Sequence, residues 1–401
     1  MNELSSIALI LLLSLLAGHL VKFLHIPEVT GYIIAGIIVG PSVLGWINQQ
    51  NLTSLSIFSE VALALILFSI GSIFEFRRFR EVGKLIVIIT VTECACVLAL
   101  VTGAALYLGQ RWEIALLLGT VAMETGAAST LMVLREYNAE GRLTQVITGA
   151  IAINNIVCLT CFLLVTSGLQ VAGRLGMGGG GSLYATLYSV IWQLIGSAAL
   201  GYLVGLLLAA WSTRVIEHGE TLILLIGCVL LCAGLALFLN LSILVVSLVL
   251  GATTANLSAH TGRLAMVQSR TDPPFYAVFF VIAGAHLQLG LLKSLGLLGL
   301  AYIVARAIGK LIGTYFGSRL AKSSKQVRRQ LGPAVLAHAG LAIGLVLSLV
   351  RRYPQLDAEL TVVVLGGILV FEILGPISVR KVILRAGESH ARVAGGMEVL
   401  E

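Results

Sequence analysis

The chain has 401 residues, of which 58% are hydrophobic and 11% charged, with a net charge of +7. Soluble globular proteins carry roughly 25% charged residues, so the composition excludes an ordinary water-facing surface, and a mean hydropathy of +1.00 agrees. The basic excess does not point to a nucleic-acid partner, because the basic residues lie in short loops between apolar runs, which is a pattern of membrane topology.

Apolar runs fall at 4–24, 28–47, 56–75, 84–108, 113–136, 142–167, 183–213, 219–239, 242–259, 274–290, 293–319, 327–350 and 357–384. A helix needs about 20 apolar residues to cross hydrocarbon. The expected fold is therefore all-α: one polytopic transmembrane domain, residues 1–401, with about thirteen transmembrane helices. The first run lacks a basic n-region and is long enough to span, so it reads as a first helix rather than a cleaved leader. The Gly-rich stretch Gly176–Gly181 reads as part of a flexible linker, 173–182,. It separates a first half, 1–172, from a second half, 183–385, and a short basic tail follows at 386–401.

Alternate loops collect the basic residues. One set holds Lys22, Arg77, Arg78, Arg80, Lys84, Arg135, Arg142, Arg214, Arg263, Arg270, the Arg319–Arg329 cluster and the residues from Arg380 to Arg392. The other holds Arg111, Arg174, Lys293, Arg351 and Arg352. The positive-inside rule makes the first set cytoplasmic, with the N-terminus outside and the C-terminus inside. Cys94, Cys96, Cys158, Cys161, Cys228 and Cys232 all lie within apolar runs. They lack zinc-ligand spacing and read as small buried hydrophobes.

Two runs contain residues that break helices. The fifth carries Glu124, Thr125, Gly126 and Ser129 near its middle. The twelfth carries Gly332-Pro333, then His338, Gly340 and Gly344. Matching interruptions in the two halves are the mark of discontinuous helices in an inverted-repeat transporter. Unwound backbone survives at that depth only when buried in protein or lining a cavity. Close helix packing through small residues is the other reading.

Ionisable and amide groups inside apolar helices are functional or paired. Asn154 and Asn155 lie midway along the sixth run, and Arg306 and Lys310 share one face of the eleventh at i, i+4 spacing. Glu93 and Glu372 lie within the fourth and thirteenth runs. Glu124 either serves the site or forms a packing ion pair with Lys310 or Arg306. His338 reads as a proton relay or as a hydrogen-bonded packing residue. No nucleophile–base pair, H-E-x-x-H or phosphate loop is present, so an enzyme, a cofactor or a metal centre is not expected.

Several segments carry a resemblance. His25 to Gly45 is similar to the P-x-x-x-G-x-x-x-x-G-x-x-x-G-P-S-x-L-G signature of bacterial monovalent cation:proton antiporters of the Kef/NapA type, in the sodium/proton exchanger superfamily. Leu67-Phe-Ser-Ile-Gly71, Ala122 to Tyr137, Phe279 to Gly284, Lys310 to Leu320, Phe371 to Pro376 and Arg385-Ala-Gly-Glu388 resemble further family segments in order. The resemblance implies inverted repeats with two crossed discontinuous helices, a mobile core beside a dimerisation domain, elevator-type movement and a homodimer in the bacterial inner membrane. It implies Na+ or K+ exchanged for H+, with any regulator a separate subunit. Where the family carries Asp-Asp or Asn-Asp, this chain has Asn154-Asn155. An amide ligates a cation but does not titrate. Glu124 is then the expected titrating group, with Asn154, Asn155, Thr125 and Ser129 completing an oxygen shell and Lys310 and Arg306 balancing charge. An uncoupled or differently coupled carrier of a cation or anion, and a non-transporting sensor subunit, are the competing readings.

Overall fold

The computed structural model describes residues 3–23, 26–48, 54–72, 76–172, 191–215, 217–258, 261–286, 296–338 and 358–390, together with Leu52, Tyr188, Gly290, Leu341, Ala342, Ile343, Leu345, Val346 and Leu349. Linker 173–182, Gly340, Gly344, Lys293, Arg351, Arg352 and the tail beyond His390 lie outside the described residues.

Among the described residues the secondary structure is helical, with no strand. In chain order the helices are α1 (Glu3–Phe23), α2 (Glu28–Val39), α3 (Ser56–Ser72), α4 (Phe76–Tyr107), α5 (Trp112–Ala122), α6 (Ala127–Glu136) and α7 (Arg142–Val171). A π-turn at Trp192–Gly196 then leads into α8 (Ser197–Trp211), followed by α9 (His218–Phe238), α10 (Ile243–Leu257), α11 (Thr261–His286), α12 (Gly296–Leu320), α13 (Lys325–Ala334) and α14 (Ala358–Ala386). Taking α5 and α6 as one segment, eight described segments are long and apolar enough to cross a membrane, and α2, α10 and residues Ile57–Ser69 of α3 are shorter apolar helices.

Three boundaries differ most from the apolar runs, and the first is at 28–47, where the helix ends at Val39. The run at 84–108 begins eight residues early, at Phe76, and the run at 274–290 begins at Thr261. In α11 the extension is amphipathic: Leu264, Val267, Gln268 and Asp272 are buried, Arg270 is exposed, and Arg263 is half-buried and donates to Val215 O at 2.6 Å. Mean hydropathy misses such a stretch, and the Pro273-Pro274 pair inside α11 reads locally as a stop.

The helices sort into two layers by packing. α12 runs along α4; α5 and α7 pack on α4, α13 and α14 pack on α12, and α6 joins through α14 and α7; α11 packs on α2, and α10 packs on α3 and α8. Close approach of α12 to α4 depends on glycine. A Cβ at Gly309 would come within 2.9 Å of Val97 Cα, and one at Gly313 within 2.6 Å of Glu93 Cα. Backbones this close are the usual small-residue solution between membrane helices, and here they bring Glu93 against the face that carries Lys310.

The loop ends also sort by face. Lys22 pairs with Glu28, Glu136 Oε2 accepts the Glu28 N–H at 2.9 Å, Gln326 Nε2 donates to Ala386 O at 3.1 Å, and Tyr137 O accepts the His390 N–H at 3.1 Å. These contacts gather the α1–α2, α6–α7 and α12–α13 connections and the end of α14 on one side.

Candidate functional site

The helix that begins as α5 stops at Ala122. Met123–Gly126 leave the helical path, and α6 starts at Ala127. Gly126 N–H donates not along its own helix but across to Ala337 O, at 2.9 Å. Ala337 lies in a second non-helical stretch. There α13, capped by the Ser324 hydroxyl on Val327 N–H at 3.3 Å, ends at Ala334, residues 336–338 are non-helical, and the next described residue, Leu341, is helical. Pro333 contributes to that ending by removing a backbone donor. The two interruptions therefore face each other.

Arg306 of α12 fills the space between them. Nε donates to Ala122 O at 3.0 Å, Nη1 to Leu336 O at 2.8 Å, and Nη2 to Glu124 O at 2.7 Å and Ala337 O at 3.0 Å. These are helix-end carbonyls that lost their intrahelical donors, and the guanidinium fork supplies four bonds at once. Its outer face lies 4.4 Å from the Phe371 ring centre.

One turn further along α12, Lys310 Nζ lies 2.6 Å from Glu93 Oε1 and donates to Met123 O at 2.7 Å and Thr125 Oγ1 at 2.6 Å. Asn154 Nδ2 donates to Glu93 Oε2 at 3.0 Å and Met123 O at 2.9 Å, and reaches Cys94 Sγ at 3.2 Å. Lys310 is wholly buried, and Glu93 and Asn154 are 3% and 2% exposed. The Oδ1 atoms of Asn154 and Asn155 are buried without a hydrogen-bond donor.

On the other side of Arg306, Glu124 Oε2 lies 2.8 Å from His338 Nδ1, and His338 Nε2 lies 2.9 Å from Tyr302 Oη. Ser129 Oγ, in the first turn of α6, donates to Glu372 Oε2 of α14 at 3.4 Å.

The match to the transmembrane sodium/hydrogen exchanger profile runs over residues 7–385, nearly the whole chain. The chain belongs to the sodium/hydrogen exchanger family. It is 24% identical over 337 residues to AmhT, an ammonium/H+ antiporter subunit of Alkalihalophilus pseudofirmus, covering 82% of each chain. It is 28% identical over 364 residues to GerN, a Na+/H+-K+ antiporter of Bacillus cereus, covering 84% of this chain and 88% of that one. A putative cation/proton antiporter of Escherichia coli, YbaL, is 26% identical over 384 residues, and the match spans 66% of its length. In fold the chain is similar to the sodium proton antiporter MjNhaP1 of Methanocaldococcus jannaschii. One structure of that protein gives a TM-score of 0.68 at 17% identity over 96% of both chains. A second gives 0.76 at 16% identity over 97% of this chain and 99% of that one. Exchangers of this family are transporters, and the chain is not an enzyme.

In the structure the residues singled out in the sequence fall into three groups. Asn154, Thr125 and Lys310 meet at Met123. Glu124 and His338 meet on the far side of Arg306, and Ser129 meets Glu372. The carboxylate against Lys310 is Glu93. The signal for Glu93 was its mid-helix position in the fourth run, shared with Glu124 and Glu372. What selects it is the azimuth of α4 against α12, which local sequence does not contain.

Proposed function

We propose that this exchanger trades a monovalent cation, Na+ or K+, for protons, and that the titrating carboxylate is Glu93. The observation that carries the reading is the buried Glu93–Lys310 pair at the interrupted helix, with Glu93 also accepting from an Asn154 whose own oxygen has no donor. An acceptor oxygen buried without a donor suits a cation. A cation arriving at Glu93 and Asn154 Oδ1 displaces the Lys310 ammonium, which keeps its bonds to Met123 O and Thr125 Oγ1. A proton on Glu93 removes the negative charge that holds the cation. The two therefore compete for one carboxylate, which is the coupling that Asn154-Asn155 alone cannot provide. Glu124, His338 and Tyr302 form a hydrogen-bonded line that can pass protons past the crossing.

A carried anion fits less well. Arg306 is committed to four carbonyls and Lys310 to Glu93, which leaves neither cation turned to an anionic passenger. Elevator movement of the layer built on α4 and α12 past the layer built on α2, α3 and α10, homodimer formation, and a cytoplasmic C-terminus complete the reading. It is supported by the antiporter relatives and by the basic-loop asymmetry.

The test is reconstitution with a pH-sensitive dye inside the vesicles. A Na+ or K+ gradient should drive a pH change through the unmodified chain and none through Glu93→Gln. A pH change that persists in Glu93→Gln and disappears in Glu124→Gln would move the titrating role to Glu124.

A further inference from the structure

A carboxylate taken out of water is unfavourable unless a base or several donors meet it. The buried carboxylates among the described residues nearly all have such partners. Glu93 has Lys310, Glu124 has His338, Asp272 has Arg135, Glu113 has Arg111, and Glu388 accepts two backbone N–H groups and a hydroxyl. Glu372 differs. It is 3% exposed, and the contact it makes is with the Ser129 hydroxyl at the long distance of 3.4 Å.

The charged groups that act on Glu372 are Glu124 of the first interruption and Arg306 of α12. Glu124 is of like sign. Arg306 directs its donors at the four carbonyls and its face at Phe371, the neighbour of Glu372. His338 of the second interruption is turned to Glu124 and Tyr302. α12 also carries Lys310, paired with Glu93, and Arg319 in its last turn, and the remaining elements packed on α14 bring their charged groups near their outer ends: Glu28 as the first residue of α2, Glu113 in the first turn of α5, Arg135 and Glu136 in the last turn of α6, and Lys325, Arg328 and Arg329 in the first half of α13. No base within this set forms an ion pair with Glu372.

The side chain is thus stable in two forms, as the neutral acid or with a cation against it. Ser129 stands at the first turn of α6, beside the interruption, so the group is at the crossing and not at a remote packing position. We propose that Glu372, met by Ser129, is a second exchange carboxyl. It holds a proton when no cation is bound and releases it when a monovalent cation comes against it, Glu372-COOH and M+ giving Glu372-COO−·M+ and H+. The assignment rests on the exchange reading above and adds to Glu93 a second titrating residue on the opposite side of Arg306.

The experiment counts protons released when NaCl or KCl is added to the purified chain in weakly buffered detergent solution, read with a pH dye. The unmodified chain should release more protons than Glu372→Gln, by about one per chain, and Glu372→Asp should recover the release. Release that is the same in Glu372→Gln as in the unmodified chain overturns the assignment while leaving Glu93 in place. Equal loss in Glu372→Gln and Glu372→Asp overturns it too, because a packing role is sensitive to both changes. No release from the unmodified chain with either salt overturns the exchange reading and this one together.

Discussion

Lys310 Nζ touches Glu93 Oε1 at 2.6 Å in the one place where α5 has ended and α6 has not begun. The ammonium is shared among a carboxylate, a hydroxyl and an orphaned carbonyl, so it stabilises the interruption and neutralises Glu93 together. Removing one partner leaves the other charged and buried. Lys310→Ala and Glu93→Gln should each lower stability by about 3–5 kcal/mol. The double variant should recover part of the loss while remaining inactive in exchange. Thermal unfolding of the purified variants in detergent, run as a double-mutant cycle, measures the coupling. Additive losses would show that the pair contributes nothing as a pair.

Arg306 has a different task. It carries no carboxylate contact of its own and instead joins the two interruptions by binding Ala122 O, Glu124 O, Leu336 O and Ala337 O. Truncation orphans several buried acceptors, each worth about 1–3 kcal/mol. Arg306→Ala should therefore fail to yield a stable, monodisperse protein. Arg306→Lys, with a point charge in place of the fork, should fold with a lower unfolding temperature and little exchange. Size-exclusion profiles and thermal unfolding read both outcomes.

The sequence already held the parts of this crossing. Gly126 and Pro333 mark the interruptions, the i, i+4 spacing of Arg306 and Lys310 places both on one face, and Asn154 has no place in an apolar helix unless it has partners. The pairing of those parts was less legible. Three carboxylates, Glu93, Glu124 and Glu372, stood at similar depth, and charge alone made Glu124 the natural choice because it lies in the interrupted run. Glycines 309 and 313 let α4 approach α12 until Glu93 reaches Lys310, while Glu124 meets His338, 214 residues away. Contacts at such separations depend on helix azimuths, and a single chain's periodicity does not record them. The amphipathic start of α11 was hidden for a related reason: its charges lower the hydropathy of a segment whose inner face is buried.

That segment supplies a third prediction. Asp272 of α11 pairs with Arg135 at the end of α6 and accepts the Ser69 hydroxyl of α3 at 3.4 Å. The pair joins the layer that carries the crossing to the layer that does not. Asp272 is buried and the Arg135 side chain is 31% exposed, so water screens the cation partly and the expected loss in Asp272→Asn is about 1–2 kcal/mol. If the layers move against each other during transport, the same variant should exchange faster at saturating cation, because one contact that must break is gone. Initial rates in vesicles, normalised to reconstituted protein, measure this. A slower rate at unchanged protein content would mean that the contact forms in the rate-limiting step rather than breaking in it.

The last prediction concerns how α7, the helix bearing Asn154 and Asn155, is held at its start. Its N-terminal donors are met by a residue from the far end of the chain. Glu388 Oε1 accepts the Leu143 N–H at 2.8 Å, and Oε2 accepts the Thr144 N–H and hydroxyl, both at 2.7 Å. Glu140 N–H donates to Glu388 O at 2.9 Å. The neighbouring Gly141 leaves room for this, since a Cβ there would lie 2.2 Å from the Glu388 carboxyl carbon. A negative side chain at a helix N-terminus both caps and complements the dipole. Glu388→Ala should cost about 1–2 kcal/mol and expose the Leu143 and Thr144 amides to hydrogen exchange. Gly141→Ala should reproduce that exchange pattern with Glu388 intact, because it displaces the carboxyl. Protection of both amides in either variant would show that α7 is capped without the C-terminal segment.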